Sequence, residues 1–217
     1  MKRLLLLVLM VLFPGCENGI EIEIETRFGE PEKQSAAAEE EKQRQQEAQV
    51  AYDKGQEFTG IQDWDEAIEC YTKVVDLDPG HSRAFFARGV AKGGSGEFDK
   101  AIDDLSRAIK IDPDYHEAYR FRASAHGATG DYDAAIDDFT EAIRIKPENP
   151  DSYYSRGVKH SRQGNNRHAL EDFNEAIRLK TTNPLAYLLR GYVYFEQDER
   201  EKAMADFAMA RSMGLVR

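Results

Sequence analysis

The stretch that decides the fold is residues 116–149, HEAYRFRASAHGATGDYDAAIDDFTEAIRIKPEN. The 34 residues before it, 82–115, read SRAFFARGVAKGGSGEFDKAIDDLSRAIKIDPDY and align with it without a gap. Self-similarity at a fixed period of this length is typical of stacked helical repeats. Counted from Ala48, the period gives five repeats, which are 48–81, 82–115, 116–149, 150–183 and 184–217.

Small and large residues recur at fixed positions of each repeat. The twentieth position is alanine: Ala67, Ala101, Ala135, Ala169 and Ala203. Four positions later the residue is large: Tyr71, Leu105, Phe139, Phe173 and Phe207. The eighth position is small: Gly55, Gly89, Ala123, Gly157 and Gly191. Two helices approach closely only where a small residue on one meets a large residue on the other, so this pattern predicts antiparallel helix pairs. Gly96, Gly130 and Gly164 permit the turn within a pair.

This pattern resembles the tetratricopeptide repeat (TPR) family, and the resemblance covers about four-fifths of the chain. It implies an all-α fold, a right-handed superhelical solenoid of helix-turn-helix repeats with a concave groove lined by the first helix of each pair. The usual role of the family is to grip peptides or helices of partner proteins. The architecture does not name the partner. We therefore expect a scaffold that binds other proteins or peptides.

The resemblance also places positions two, five, nine and twelve of each first helix in the groove, and we call these positions the groove face. They share one side of a helix with 3.6 residues per turn. In repeat three they are polar: Glu117, Arg120, Ser124 and Gly127. At the other end of the groove the face is apolar: Tyr154, Val158, Leu185, Leu188, Tyr192 and Phe195. An exposed apolar patch predicts a docking site for a partner protein. Internal packing of these residues and pairing of repeat five with a second copy stay open as alternatives.

The last repeat differs at the position that the next repeat would cover. Position twenty-eight is apolar in the first four repeats: Val75, Ile109, Ile143 and Ile177. In repeat five it is Arg211, which supplies part of the polar outer face that a terminal repeat needs. Met204 and Met213 remain apolar on the same helix. Repeat five is therefore also a candidate surface for homodimerisation.

Two further positions vary together. Position seven is Arg88, Arg122, Arg156 and Arg190 in repeats two to five. Position twenty-three is Asp104, Asp138, Asp172 and Asp206 in the same repeats. Repeat one has Lys54 and Cys70 instead. Because both positions change in the same repeat, we infer one Arg–Asp pair per repeat, a ladder whose expected role is structural rather than ligand-binding. Removing one partner of a buried ion pair costs about 3–5 kcal/mol.

The first sixteen residues are typical of an exported protein. Two basic residues precede an unbroken apolar run, Leu4 to Phe13, which is too short to span a bilayer and indicates a secretory signal peptide. The stretch Leu12-Phe13-Pro14-Gly15-Cys16 resembles the lipobox of bacterial lipoproteins. The resemblance implies that residues 1–15 are removed and that Cys16 carries the lipid, palmitate included. Simple secretion and an uncleaved signal anchor are the alternatives, and the lack of an A-x-A-like cleavage site disfavours simple secretion.

The segment between this signal and the repeats has two compositions. Residues 16–34 are acidic and alternate Ile with Glu, without a partner strand in view, and we predict a linker there. Residues 35–47 are rich in Ala, Glu, Gln, Lys and Arg, which are good helix formers. We expect an N-terminal helix extension capped by Ser35 that continues into the first repeat.

Several functional classes are disfavoured by composition and motifs. A formal net charge of −11 disfavours nucleic acid as a partner. With two cysteines and no zinc-like Cys/His spacing, we expect no disulfide framework, metal or cofactor. The run Gly93-Gly94-Ser95-Gly96 lacks the Lys-Ser/Thr of a phosphate loop. No set of nucleophile, base and orienting group is readable, so we expect no catalytic residues and no enzyme.

The sequence thus predicts a lipid-anchored TPR scaffold of the bacterial cell envelope, facing the periplasm or the cell exterior. Glu17 follows the lipidated cysteine, and because it is not the aspartate associated with inner-membrane retention, the outer membrane is favoured. Similar repeat lipoproteins serve as assembly factors for pili or outer-membrane proteins, or as adaptors for cell-wall enzymes. We accordingly expect a role in assembling an envelope complex. The alternative is a self-associating structural repeat protein without a separate client.

Overall fold

The computed structural model describes the backbone of residues 17–215 and the side chains of residues 35–215. Over this range the secondary structure consists of ten α-helices without a strand, which confirms the predicted all-α class. In chain order the helices are α1 Glu17–Gly60, α2 Trp64–Leu77, α3 Ser82–Gly94, α4 Phe98–Ile111, α5 His116–Thr129, α6 Tyr132–Ile145, α7 Pro150–Arg162, α8 Asn166–Arg178, α9 Pro184–Glu196 and α10 Arg200–Ser212.

The chain divides into two compact units, residues 1–47 and residues 48–217. The described part of the first unit is the α1 helix, which begins at Glu17. The described residues of the predicted linker, 17–34, are helical rather than irregular, and Ser35 lies inside this helix instead of capping it. A strand needs a partner for its backbone hydrogen bonds, whereas a helix satisfies them internally, and Glu favours the helix. Residues 35–47 lie within the same helix.

The signal peptide predicted over residues 1–15 and the lipid attachment predicted at Cys16 lie outside the described residues. Within residues 17–215, no helix combines the length and the apolar character that crossing a bilayer requires.

The second unit is built from helix pairs. The first helices α3, α5, α7 and α9 begin at Ser82, His116, Pro150 and Pro184, where the 34-residue period starts repeats two to five. Each of these helices packs against the second helix of its own repeat and against the second helix of the preceding repeat. Neighbouring first helices also touch, α3 with α5 and α7 with α9. The groove face of one repeat therefore adjoins the groove face of the next.

The core of each pair forms where small residues meet large ones. The alanines at position twenty are fully or almost fully buried, and so are the large side chains of repeats one to four at position twenty-four. At position eight the backbone comes close to these large side chains: a Cβ added to Gly157 would lie 2.9 Å from Phe173 Cε1. The predicted pairing of small and large residues is thus the contact that joins the two helices.

The turn inside each pair uses a left-handed residue. Gly96, Gly130 and Gly164 have φ values of 88°, 88° and 77°, which confirms the turn predicted at these glycines. At the equivalent position of repeats one and five, Gln62 and Asp198 adopt the same conformation with φ of 61°. An L side chain is strained in this region, so these two turns are held by the packing of the helices on either side.

Candidate functional site

The structure brings the ladder residues together in all four repeats. In each pair the arginine donates two hydrogen bonds to the two carboxylate oxygens of the aspartate sixteen residues later. The distances are 2.7 and 2.8 Å for Arg88–Asp104, 2.8 and 2.6 Å for Arg122–Asp138, 3.0 and 2.7 Å for Arg156–Asp172, and 2.8 and 2.7 Å for Arg190–Asp206. The four aspartates are buried, and this fork-to-carboxylate geometry is the strong form of the ion pair.

The same arginines also reach the preceding repeat, a contact that the sequence pattern within one repeat did not suggest. Each donates its remaining Nη1 group to a side chain at position twenty-five of the repeat before. The acceptors are Thr72, Ser106, Thr140 and Asn174, at 3.2, 2.9, 3.0 and 2.6 Å. Their 34-residue spacing is the signal by which they could have been found. In repeat five the position is Ala208, which accepts no such bond.

The charged groups of the ladder are paired with one another. The hydrogen bond to Asp138 raises the pKa of Arg122, and the bond to Asp206 does the same for Arg190. Lys92 adds a further ion pair to Asp104 at 2.7 Å. Because each guanidinium nitrogen and each carboxylate oxygen of the ladder already takes part in a hydrogen bond, the ladder offers a ligand fewer groups than an unpaired arginine or aspartate would.

The groove face of repeat five carries exposed apolar side chains. Leu185, Tyr192 and Phe195 are 38%, 54% and 59% exposed, whereas Leu188 is half-buried. The ring of Tyr192 contacts Phe207 edge-on, with 5.2 Å between the centroids. Large apolar side chains that stay this exposed on one face mark a surface able to bind an apolar group.

The two predicted groove residues of repeat four lie in a different environment. Tyr154 and Val158 are half-buried and pack on the core cluster that contains Phe173 and Val193. Burial raises the pKa of the Tyr154 hydroxyl, partly offset by a hydrogen bond to Asn183. These two residues hold repeats four and five together, in addition to any part in binding.

Aromatic contacts lie on the first three repeats. His81 stacks on Tyr52 at 5.3 Å, and Phe86 contacts Tyr115 at 4.9 Å and Phe121 at 5.3 Å. Burial raises the pKa of Tyr115 to about 12. His81 and Tyr115, at position thirty-four, were missed in the sequence, although they recur at the repeat period beside the aromatic residues at position five.

The outer side of the last helix is partly uncovered. Met204 is 67% exposed, and Met209 of the same helix is also exposed. In the other repeats position twenty-one is half-buried: Ile68, Ile102, Ile136 and Leu170. Arg211 is exposed and Met213 is half-buried.

One buried cluster resembles a catalytic set in its residue types. His116 Nε2 lies 3.5 Å from Ser152 Oγ, and Nδ1 lies 3.6 Å from the carboxylate of Glu117. Ser152 is completely buried and His116 nearly so, so that a substrate has no access to the hydroxyl. The cluster joins repeats three and four. Within the described residues, no three His, Cys, Asp or Glu side chains are grouped in a way that would hold a metal ion.

The fold is shared with several solved structures. MamA is 27% identical, covers 77% of this chain and 91% of its own, and superposes with a TM-score of 0.70. PilF of Pseudomonas aeruginosa is 17% identical over 80% of this chain and 79% of its own, with a TM-score of 0.72. YrrB is 16% identical, covers 82% of this chain and 91% of its own, and superposes with a TM-score of 0.67. The last two likenesses show the fold alone. No curated protein sequence matches the chain.

Family models agree with these structures. A tetratricopeptide repeat model matches residues 52–91 and 88–150, and a second TPR repeat model matches residues 161–198. Together the matches span more than half of the 217 residues. They cover repeats two and three in full and parts of the other three, and the solved structures share the predicted solenoid fold. The chain belongs to the tetratricopeptide repeat family.

Proposed function

We propose that this protein is a membrane-anchored scaffold that binds partner proteins or peptides on its groove face and helps to assemble a complex in the bacterial cell envelope. The observation that carries the proposal is the exposure of Leu185, Tyr192 and Phe195 on neighbouring turns of one helix. Among the similar structures, YrrB is a TPR protein with a peptide-binding site.

The energetics are sufficient for such a role. Burying one exposed Leu or Phe side chain contributes about 1.5–3 kcal/mol. Three or four such anchors support roughly micromolar binding once the ordering of the partner is subtracted. We infer a function in binding rather than catalysis, because the buried Ser152 hydroxyl has no access to substrate and the ladder groups are paired with one another.

The anchor part of the proposal rests on the sequence alone. A lipidated Cys16 would hold the repeats at a membrane surface, facing the periplasm or the cell exterior, with the outer membrane favoured by Glu17. One acyl chain binds a bilayer marginally and two or more bind it firmly. Metabolic labelling with a palmitate analogue tests this directly. Label should enter the wild-type protein and be absent from Cys16→Ser, and label in both would refute the anchor.

The binding function is tested by capture from native envelopes followed by mass spectrometry. The bait is the tagged protein, compared with a Leu188→Asp/Tyr192→Asp variant. As a matched control, Ile61→Asp changes an exposed apolar residue in the turn between α1 and α2, away from repeat five. We expect partners that the wild type and the Ile61 variant retain and that the groove variant loses. Identical captures from all three would show that the apolar patch is not the binding surface.

A second candidate function is self-association without a separate client. The exposure of Met204 favours this candidate, because the same position is half-buried in repeats one to four. Arg211 opposes it, because a charged side chain on the same outer surface loses its hydration when a second copy covers it.

A further inference from the structure

Arg120, on the groove face of repeat three, stands apart from the ladder arginines. Each ladder arginine donates three hydrogen bonds, whereas the Arg120 guanidinium donates none to any described residue. Its Nε atom is buried without a partner, and the nearest carboxylate, Asp151, lies 3.8 Å away and is half exposed. A guanidinium that is mostly withdrawn from water and not hydrogen-bonded is an incomplete site for a carboxylate.

A second cation, Lys159 of repeat four, places its Nζ beside Gly127 on the groove face of repeat three, two turns beyond Arg120. Position ten is a buried apolar residue in repeats two, three and five: Ala91, Ala125 and Val193. In repeat four it is Lys159, whose Nζ occupies the space that a Cβ on Gly127 would need. The ammonium group lies 5.9 Å from the centre of the Tyr132 ring, and no described carboxylate is within ion-pair distance of it. Burial, reinforced by Arg162, lowers the pKa of Lys159.

Arg120 lies on α5, and Lys159 reaches the same helix from α7, with its Nζ beside Gly127. Arg120 and Gly127 are seven residues apart, which is about 10.5 Å along a helix axis. Ser124 lies between these positions on the same face of the helix, and its hydroxyl donates a hydrogen bond to the Arg120 carbonyl at 3.0 Å. A peptide in the extended polyproline II conformation rises about 3.1 Å per residue with three residues per turn, so that carboxylates three residues apart point to the same side and span about 9 Å.

Resting on the function proposed above, we propose that the repeat-three part of the groove face binds an acidic, extended segment of the partner protein. One carboxylate of the segment pairs with Arg120, and a second, three residues away, pairs with Lys159. Apolar residues of the same partner then reach the exposed side chains of repeat five. Because the chain carries a net charge of −11, it repels acidic segments elsewhere, and this local pair of cations selects where such a segment docks.

The test uses the full chain and two fluorescein-labelled peptides. One peptide carries Glu residues three apart, followed by Leu and Phe, and its twin has Gln in place of every Glu. Fluorescence anisotropy measures both affinities. We expect the Glu peptide to bind at least about tenfold more tightly than its twin, and the difference to shrink as salt is added. Arg120→Gln and Lys159→Met should each weaken the Glu peptide about fivefold or more and leave the Gln peptide unchanged.

Arg167→Gln is the matched control, since it removes one exposed positive charge from α8. It should bind both peptides as the wild type does. Lys159→Met introduces an apolar side chain, as other repeats have at this position, and Arg120→Gln gives an independent variant should the first fold poorly. Equal affinities for the two peptides, no binding of either, or an equal loss in Arg167→Gln would overturn the inference.

The capture experiment keeps the two proposals separate. Partners lost from Leu188→Asp/Tyr192→Asp but fully retained by Arg120→Gln/Lys159→Met would leave the scaffold function standing and refute the acidic segment. Partners lost from both variants would support both proposals, and partners lost from neither would refute both.

Discussion

Arg122 binds both carboxylate oxygens of Asp138, at 2.8 and 2.6 Å, and donates its remaining group to Ser106 of the preceding repeat. One side chain therefore joins the two helices of its own repeat and also joins that repeat to its neighbour. The stability of a repeat array is approximately a sum of repeat terms and interface terms. Each rung of the ladder contributes to both.

Removing the carboxylate of a rung should destabilise the array far more than removing its exposed neighbour. Asp138 is buried and paired, whereas Asp137 is exposed. Asp138→Ala leaves the Arg122 guanidinium without its counter-ion, and we expect the free energy of unfolding to fall by about 3 kcal/mol. Asp137→Ala should change it by less than about 0.5 kcal/mol. Thermal unfolding followed by circular dichroism measures both, and equal melting temperatures would contradict a structural role for the ladder.

The bond between repeats can be tested apart from the ion pair. Ser106→Ala removes the acceptor of Arg122 Nη1 and leaves Asp138 in place. We expect a loss of about 1 kcal/mol, the usual net contribution of a hydrogen bond. Ala208→Ser makes the reverse change at the equivalent position of repeat five, where no arginine donates to it. We expect the free energy of unfolding, measured by urea denaturation, to be the same for Ala208→Ser and the wild type. If Ala208→Ser were stabilised by as much as Ser106→Ala is destabilised, the hydroxyl would act within its own helix and not through the bond to an arginine.

The sequence predicted the Arg–Asp pair within each repeat, but it did not predict the hydrogen bond from the same arginine to the preceding repeat. This difference has a physical reason. Arginine and aspartate recur unchanged because the bidentate geometry accepts few replacements. The acceptor in the preceding repeat is Thr, Ser or Asn, since any short side chain with an oxygen serves the single remaining donor. Position twenty-five therefore varies in residue type and makes its contact with the next repeat. A comparison of positions within one repeat does not reveal such a contact.

The sequence also did not predict which residues of the groove face are exposed and which are packed in the core. Tyr154 and Tyr192 lie four positions apart in the repeat, at positions five and nine, and both were predicted to face the groove. Tyr154 packs on Phe173, whereas the Tyr192 ring remains more than half exposed. The difference depends on how tightly neighbouring repeats approach. The extent of α1 toward Glu17 was missed in a similar way, because an alternating pattern favours a strand only where a partner strand exists.

Mutation of these two tyrosines should separate packing from binding. Tyr154→Ala removes a half-buried ring from the core cluster of repeats four and five, and we expect a loss of about 2–3 kcal/mol. Tyr192→Ala removes a ring whose main contact is the edge of Phe207, and the loss should stay below about 1 kcal/mol. Chemical denaturation gives both values. A loss from Tyr192→Ala as large as that from Tyr154→Ala would mean that the patch is part of the core.

Acidification should weaken the junction between repeats three and four. Burial lowers the pKa of His116 below its ordinary value of 6.5, although Glu117 opposes this and Arg120 and Lys146 reinforce it. The unfolded chain therefore binds a proton that the folded chain excludes. Stability is complete above about pH 6.5 and falls as the pH decreases through the folded pKa.

The comparison that isolates this effect is wild type against His116→Asn. We expect the melting temperature of the wild type to drop more between about pH 7.5 and about pH 5.5 than that of the variant. His160, whose pKa burial also lowers, contributes equally to both proteins. Parallel pH profiles for the two proteins would show that His116 does not titrate on unfolding.

The charge on the last helix should decide whether the array associates with itself. Met204 and Arg211 are seven residues apart and lie on the same side of α10, at positions that are apolar in the first four repeats. We expect the non-acylated Cys16→Ser protein to sediment with one mass at all concentrations, because covering Arg211 removes its hydration without a partner charge. Arg211→Ile restores the apolar pair and should produce a mass that rises with concentration. Arg200→Ile, a similar change at the start of the helix, should leave the mass constant. A concentration-dependent mass in the Cys16→Ser protein itself would favour the self-associating candidate over the scaffold with a separate client.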